Sequence, residues 1–543
     1  MKQNYLGLEN REKVIICLFL FITICLIYRL YFINTKDKDF LIQRQNSFVV
    51  RNISLKSIRG NIVDSSFKNI AVSTPMYSIY LNFSEFQKEK DKEKLLILIN
   101  KLNLKLNLKN INKNIYLKKD ISPNDLKIIH KFLTIKGIYT YEYYKRYYPY
   151  SNYLSNIIGY TDFDENGIDG IEYSLNKKLK GKDGLKTIQI DLKKNIIEQK
   201  IVENPHNGTN IQLTINSDFQ QIAFNDLKNQ IKVFNADSGS VIILNAQNGD
   251  ILSMVSYPSF NPNLINLKEV KTGNNKSIQN IFDPGSIMKP LVIAKALNDK
   301  KVSENTIINT SQYRVGNKII KDDHSFNAMS VRDIIVHSSD IGTSKIALKY
   351  SPYELWSYYS SLGFGKKNDI SLNGETKGIL LNYKKWTPTD QALMSFGYGI
   401  SINLLQIARS YTLFTNNGCL LSVNILKDNN KNNYCQKIID NKTANMVKNI
   451  LIDTVQDGTG KLASVDGMTV AGKTGTAQKL VNGKYSSKEH IASFVGFAPA
   501  NNPKYIIAIM IDNPRKGYYG GKVSAPLFSK ILNDINKLNK EYN

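Results

Sequence analysis

The sequence predicts an α/β chain of the segregated α+β kind. It has one membrane-spanning helix, a β-rich N-terminal region and a C-terminal domain with a mainly antiparallel five-stranded sheet covered by helices. Three observations predict it. A single apolar run, Val14–Ile33, stands near the N-terminus. Extended, alternating segments occur early and late within residues 206–543, with a largely helical stretch between them. At 543 residues the chain has room for two or three domains.

Val14–Ile33 is interrupted only by Thr23 and Arg29, is long enough to cross a bilayer, and lets Arg29 snorkel from its end. The residues that follow, Asn34-Thr-Lys-Asp-Lys-Asp39, offer no small-residue cleavage site. An uncleaved signal anchor is therefore expected, with residues 1–13 as a tail and 14–33 as the span. Lys2, Arg11 and Lys13 on one side face comparable charge at Lys36, Lys38 and Arg44 on the other, so the flanks do not mark its orientation.

Residues 34–205 read as a β-rich pedestal. Within them, Arg59-Gly-Asn-Ile-Val-Asp64 is a turn entering a strand, and Ile79–Phe83 is extended. Lys88–Lys119, rich in Lys, Asn and Leu, reads as a partly helical, solvated surface element. The aromatic stretch Tyr139–Tyr150 fits strand alternation better than a platform for sugar or nucleic acid.

In residues 206–543, Ile211–Ile215 is a strand. Ser217 or Asp218 then caps a helix with Phe219, Ala223, Leu227 and Ile231 on one face. Ser240–Leu244 and Ile251–Val255 flank Gln247-Asn-Gly-Asp250, a hairpin signal. Helical patterning runs from Ser286 to about Tyr411. Met468–Ala477, Ile491–Ala498 and Tyr505–Asp512 supply three more strands, and Leu527–Leu538 a last helix. Two strands early and three late make the five-stranded sheet.

Seventy-two Lys+Arg against 46 Asp+Glu give a net charge of +26. The basic residues are spread along a chain also rich in Asn, Ile and Tyr, and no nucleic-acid-binding motif accompanies them, so no nucleic-acid partner is expected. Cys17 and Cys25 lie in the apolar run; Cys419 and Cys435 lie beyond it and can pair if that part is exported, though nothing in their spacing demands it. The five histidines show no ligand spacing, and none is expected to lie near the serines of the motifs below; neither a metal nor any other cofactor is expected.

Three short motifs carry chemistry: Ser286-Ile-Met-Lys289, Ser338-Ser-Asp340 and Lys473-Thr-Gly475. Alone each is weak, since Ser65-Ser-Phe-Lys68, Ser174-Leu-Asn-Lys177 and Lys271-Thr-Gly273 match the same patterns. Context separates them. Pro290 lacks an amide hydrogen and is tolerated only in a helix's first turn, so Ser286 belongs at or just before a helix N-terminus. There, free N–H groups and the positive dipole end favour a developing oxyanion. Lys289, three residues on, falls on the same face.

Ser286 is thus the candidate nucleophile and Lys289 its base, with Ser338 relaying the proton. Lys473 would supply positive field and attract a substrate carboxylate. Thr474 and Thr476 would offer hydroxyls to that carboxylate, and Gly475 would leave room for substrate backbone along the strand. The N–H groups of Ser286 and Thr476 would form the oxyanion hole. This is the equipment of an acyl-transferring serine enzyme.

Beyond these motifs stand Arg59–Asp64, Gly167-Ile-Asp-Gly-Ile-Glu172, Gly249-Asp-Ile-Leu-Ser-Met254, Gly397-Tyr-Gly-Ile-Ser401, Ala471–Ala477 and Tyr518-Tyr-Gly-Gly521 with Ala525-Pro. On these, the chain resembles the class B penicillin-binding proteins of the division type, from the anchor nearly to the last residue. The resemblance implies a penicillin-binding/transpeptidase fold for 206–543 and a dimerisation-type pedestal for 34–205. It implies a serine-type D-Ala-D-Ala transpeptidase that cross-links peptidoglycan stem pentapeptides ending D-Ala-D-Ala at the division septum, and that β-lactams inhibit at Ser286. It further implies a division glycosyltransferase of the FtsW type and other divisome proteins as partners. The expected location is the cell inner membrane, with the N-terminus cytoplasmic and the catalytic domain periplasmic.

One position departs from the pattern. Asp340 stands where the family usually has Asn, and a carboxylate cannot donate to a substrate amide but can pair with Lys289. Other readings share the acylation machinery: an elongation-type relative, a non-catalytic β-lactam sensor, or a β-lactamase or D,D-carboxypeptidase. The last would need a water-activating carboxylate, for which Glu375 falls in a suitable order along the chain.

Overall fold

The computed structural model describes residues 5–86, 92–104, 113–191, 196–427 and 434–541. They divide into two compact units, Met1–Ile58 with Gly181–Gly208, and Arg59–Lys180 with Thr209–Asn543.

The first unit begins with α1 (Tyr5–Thr35), whose stretch Asn10–Thr35 is long and apolar enough to span a membrane and is not buried among the described residues. It outruns the expected Val14–Ile33 because helical hydrogen bonding continues into the polar flanks. After a helix at Lys38–Val49 comes β1 (Val50–Leu55). It pairs antiparallel with β2 (Gly184–Ile190), which pairs with β3 (Ile196–Glu203).

In the second unit, the tyrosine-rich strand Ile138–Tyr147 and the strand Ile115–Ile121 both pair with Asn69–Leu81. Helix Lys92–Lys101 corrects the expectation of a solvated element. Leu95, Leu98 and Ile99 recur at helical spacing and are buried in one cluster with Ile79 and Leu81. Two pieces of that stretch, 88–91 and 105–112, lie outside the described residues.

The strand expected at Ile211–Ile215 is only Ile211–Gln212, paired parallel with Ile62–Val63. Beyond it the backbone changes partner, Thr214 N–H going to Ile425 O. Helix α2 (Ser217–Phe234) is capped by Asn216, not Ser217 or Asp218: the Asn216 carbonyl accepts from Asp218 and Phe219 N–H. Ser217 instead gives its hydroxyl to Asp64 at 2.6 Å.

The remaining elements that position the site are β4 (Ser238–Asn245), β5 (Ile251–Tyr257), α3 (Lys289–Asn298), α4 (Asp340–Ala347), β6 (Ala471–Val481), β7 (Lys484–Ala498), β8 (Tyr505–Asp512) and α5 (Ala525–Glu541). The strands form one antiparallel sheet in the order β5-β4-β8-β7-β6. Both its faces are covered. Val241 and Ile243 pack with α2 and α5 on one side, while Ile242 and Leu244 pack on the other with α3 and the helical middle. That explains why β4 reads as a continuous apolar run rather than an alternation. Each such side chain contributes about 1.5–3 kcal/mol on burial.

Only β6 leaves an edge near the catalytic motifs, and the turn Gly285–Met288 packs against it. Cys419 and Cys435 are joined as a disulfide between two short paired strands.

Candidate active site

Ser286 sits in a tight 3-10 turn, Gly285–Met288, that opens α3. Pro290 lies in the first turn of that helix, where its missing N–H is harmless. The turn is held from behind: Gly285 N–H donates to Gly397 O at 3.1 Å, and the Tyr411 hydroxyl to Ile287 O at 2.9 Å. Gly285 has φ +61°, and a Cβ on Gly397 would come within 2.3 Å of its backbone, so both positions require glycine.

Lys289 and Lys473 are fully buried. The Lys289 ammonium donates to Ser338 O at 2.5 Å and Ser338 Oγ at 3.0 Å, and pairs with Asp340 Oδ1 at 2.6 Å. Lys473, on β6, donates to Ser338 Oγ at 3.0 Å and to Thr474 O at 3.1 Å. The Ser338 hydroxyl oxygen is therefore held between two lysines. This geometry needs the backbone of Ser338 in the left-handed region, φ +64°, so that its carbonyl and hydroxyl face Lys289 together. Such a conformation costs on the order of 1–3 kcal/mol in a non-glycine residue. Both lysines spend their donors on Ser338, Asp340 and Thr474, and neither is hydrogen-bonded to Ser286 Oγ.

Burial pushes the Lys473 ammonium well below the ordinary lysine range; the charge of Lys289 adds to this, and Asp340 opposes it. Burial likewise raises the Asp340 carboxyl, against the pull of Lys289. The Asp340 side chain keeps about a third of its surface exposed.

Ser286, Ser338, Asp340, Thr474 and Thr476 line one cavity of about 520 Å³. Thr476 Oγ accepts Gly520 N–H at 3.0 Å, which leaves its own proton free for a ligand. The Thr474 hydroxyl shares a 2.7 Å bond with that of Thr459. Gly475 is required for a nearer reason than the one expected. A Cβ there would meet Ser493 Oγ at 2.3 Å, with Ile287 and the carbonyl of Pro284 at 3.0 Å, so its bareness lets β6 close on the Ser286 turn.

The chain matches the model of the penicillin-binding protein transpeptidase domain over residues 239–533, and that of the penicillin-binding protein dimerisation domain over 54–213. It belongs to this family. More narrowly it is a class B penicillin-binding protein. Among its relatives is the probable peptidoglycan D,D-transpeptidase PenA of Neisseria gonorrhoeae, 35% identical over 94% of this chain and 89% of the relative. The peptidoglycan D,D-transpeptidase FtsI of Buchnera aphidicola subsp. Schizaphis graminum is also 35% identical, over 96% and 95% of the two chains. FtsI of Escherichia coli is 30% identical over 94% and 88%. A peptidoglycan synthetase from Bifidobacterium adolescentis, of solved structure, shares the fold with a TM-score of 0.72 at 21% identity, covering 90% of this chain and 97% of that one.

The cavity also holds residues that the motifs did not announce. His324, His337 and His490 line it, contrary to the expectation that no histidine stands near the motif serines. His337 directly precedes Ser338, so that neighbour was legible; the other two arrive by folding. His490 stacks on Tyr518 at 4.2 Å and His337 on Phe326 at 5.6 Å. Tyr398, Tyr518 and Tyr519 also line the cavity, and their signals were the Gly397-Tyr-Gly and Tyr-Tyr-Gly-Gly motifs. Glu375 lies elsewhere. Its buried carboxylate accepts Asn368 N–H at 2.6 Å and Asp369 N–H at 3.1 Å, a loop-closing role.

Proposed function

We propose that Ser286 is the nucleophile of a peptidoglycan D,D-transpeptidase that cross-links stem peptides at the division septum. The observation that carries this is Ser338 Oγ, held between Lys289 and Lys473 in the wall of the cavity that Ser286 lines. Ser286 Oγ attacks the carbonyl carbon of the penultimate D-Ala of a pentapeptide stem. Lys289 takes the hydroxyl proton and Ser338 relays it to the departing D-Ala amine. An amine from a neighbouring stem then takes the acyl group, which regenerates the hydroxyl.

Ser286 N–H and Thr476 N–H stabilise the oxyanion, each such donor being worth about 3 kcal/mol. The carboxylate of the terminal D-Ala, received by Lys473, Thr474 and Thr476, favours the charged form of Lys473 that burial disfavours. Substrate binding itself thus completes the positive field. Hydrolysis lacks support from Glu375, whose oxygens are committed to the backbone.

The helix α1 anchors the chain in the membrane. With the N-terminus cytoplasmic, the catalytic unit faces the periplasm, and the Cys419–Cys435 disulfide suits that oxidising compartment. Residues 34–205 serve as a pedestal for divisome partners, among them a glycosyltransferase of the FtsW type, with 206–543 as the transpeptidase domain.

Mass spectrometry of the purified protein after benzylpenicillin tests the chemistry. One stable adduct on Ser286 is expected, and none in Ser286→Ala. Sustained turnover of the drug would mark a β-lactamase instead. Unchanged septal cross-linking in cells carrying only Ser286→Ala would leave a scaffold role in place of the enzyme.

A further inference from the structure

Asp283, two residues before the nucleophile turn, is a nearly buried carboxylate with no ion-pair partner among the described residues. It accepts three hydrogen bonds: from Ser401 Oγ at 2.8 Å, from the Tyr485 hydroxyl at 2.6 Å and from Gly399 N–H at 3.2 Å. An unpaired buried carboxylate is costly unless donors are fixed around it, so those three donors are held in place by the charge they satisfy.

The donors belong to two different walls. Gly399 and Ser401 lie in the loop that already grips the turn through Gly285 N–H to Gly397 O and through the Phe282–Ile402 backbone pair. Tyr485 lies on β7, just past the hairpin turn from β6, the strand that carries Lys473 and Thr476. A register shift between Gln478 and Leu480 bends this hairpin. The Tyr485 ring stands edge-on to Tyr398 at 5.1 Å, and the Tyr398 hydroxyl accepts Gln478 N–H at 3.1 Å. Tyr398 and Gln478 line the catalytic cavity; Asp283 and Tyr485 do not.

We propose that Asp283 and Tyr485 form a latch that fixes the β6–β7 hairpin to the nucleophile turn, and that these two positioning residues set the rate at which Ser286 is acylated. The proposal rests on the reading of Ser286 as nucleophile. Without the latch, the hairpin and the turn keep their covalent and sheet connections and the packing of the turn on β6, but lose a hydrogen-bonded tie that helps register Ser286 against Thr476. The expected consequence is a slower acylation step with ligand binding little changed.

The test uses the full chain in detergent with a fluorescent penicillin, separating the maximal acylation rate from the half-saturating concentration. Tyr485→Phe keeps the ring against Tyr398 and removes only the hydroxyl. It is expected to lower the maximal rate roughly tenfold, with half-saturation within about twofold and the melting temperature within about 2 °C of wild type. Asp283→Asn, which cannot satisfy all three donors, is expected to do the same, and the double variant to be no slower than the worse single. A wild-type maximal rate in Tyr485→Phe overturns the latch. So does a change confined to half-saturation, which would make Tyr485 a ligand contact, or strictly additive losses in the double variant. Failure of the wild-type protein to form any adduct would overturn the nucleophile assignment instead, and the two failures are thereby distinguished.

Discussion

Arg59 and Arg146 share the carboxylate of Glu172, with Arg59 Nη2 at 2.5 Å and Arg146 Nε at 2.6 Å and all three side chains withdrawn from solvent. Lys289 and Lys473 are buried as deeply but share only Asp340, which binds Lys289. Arg59 also donates to Asn176 Oδ1 and to the carbonyls of Glu165 and Glu172, so its planar fork is satisfied on every side. Lys473 has a hydroxyl and a backbone carbonyl, and its ammonium is driven from its ordinary range. The contrast teaches how burial is used. Guanidiniums, which do not deprotonate, make a fixed joint around a shared carboxylate; the two amines, which can deprotonate, are left with one carboxylate between them.

Replacing one charge from each group is the direct way to break the comparison. Lys289→Ala should lower acylation by benzylpenicillin about a thousandfold, read by adduct formation against time, while the fold survives. Glu172→Gln should do the reverse. It leaves two buried guanidiniums without their carboxylate and costs about 3–5 kcal/mol, seen as a lowered melting temperature, while any protein that remains folded keeps its acylation rate.

Asp340→Asn sharpens the comparison by removing the only counter-charge of the lysine pair. Because an amide oxygen still accepts from Lys289, acylation is expected to stay within about tenfold of wild type, roughly 1.4 kcal/mol. A loss as severe as that of Ser286→Ala would refute this.

The smallest effect is on stability and has a pH signature. The folded-state value of Lys473 lies below the ordinary 10.5, so the unfolded chain binds more protons between those two values. Its stability contribution is therefore most unfavourable below the folded value and fades as pH rises toward 10.5. Lys473→Met should melt about 2 °C higher than wild type at neutral pH, with the gain shrinking in alkaline buffer, although acylation is lost. A melting difference that grows with pH would contradict the downward shift that burial imposes on this lysine.

Much of this was legible along the chain, and the reasons are local. Pro290 placed Ser286 at a helix start because a missing N–H fits nowhere else in a helix. The apolar runs of β4, β7 and β8 and their turns announced the sheet because strand periodicity is written residue by residue. What escaped was set by partners far away in sequence. The helix cap moved to Asn216 because Asp64 claims the Ser217 hydroxyl across 153 positions. Helix Lys92–Lys101 seemed solvated until Ile79 and Leu81 gave its leucines a surface to cover.

The sequence by itself determined which groups are present and in what order: a hydroxyl and an amine one helical turn apart, a Ser-Ser-Asp, a Lys-Thr-Gly, and one segment apolar enough for a bilayer. Those follow from local rules of sterics, hydrogen bonding and hydrophobic period. Only the tertiary structure decided that Ser338 Oγ lies between Lys289 and Lys473, that Asp340 pairs with one and not the other, and that His324 and His490 join His337 in lining the cavity. Charge balance in a buried site depends on distance and solvent exclusion, and neither quantity exists until remote segments have packed.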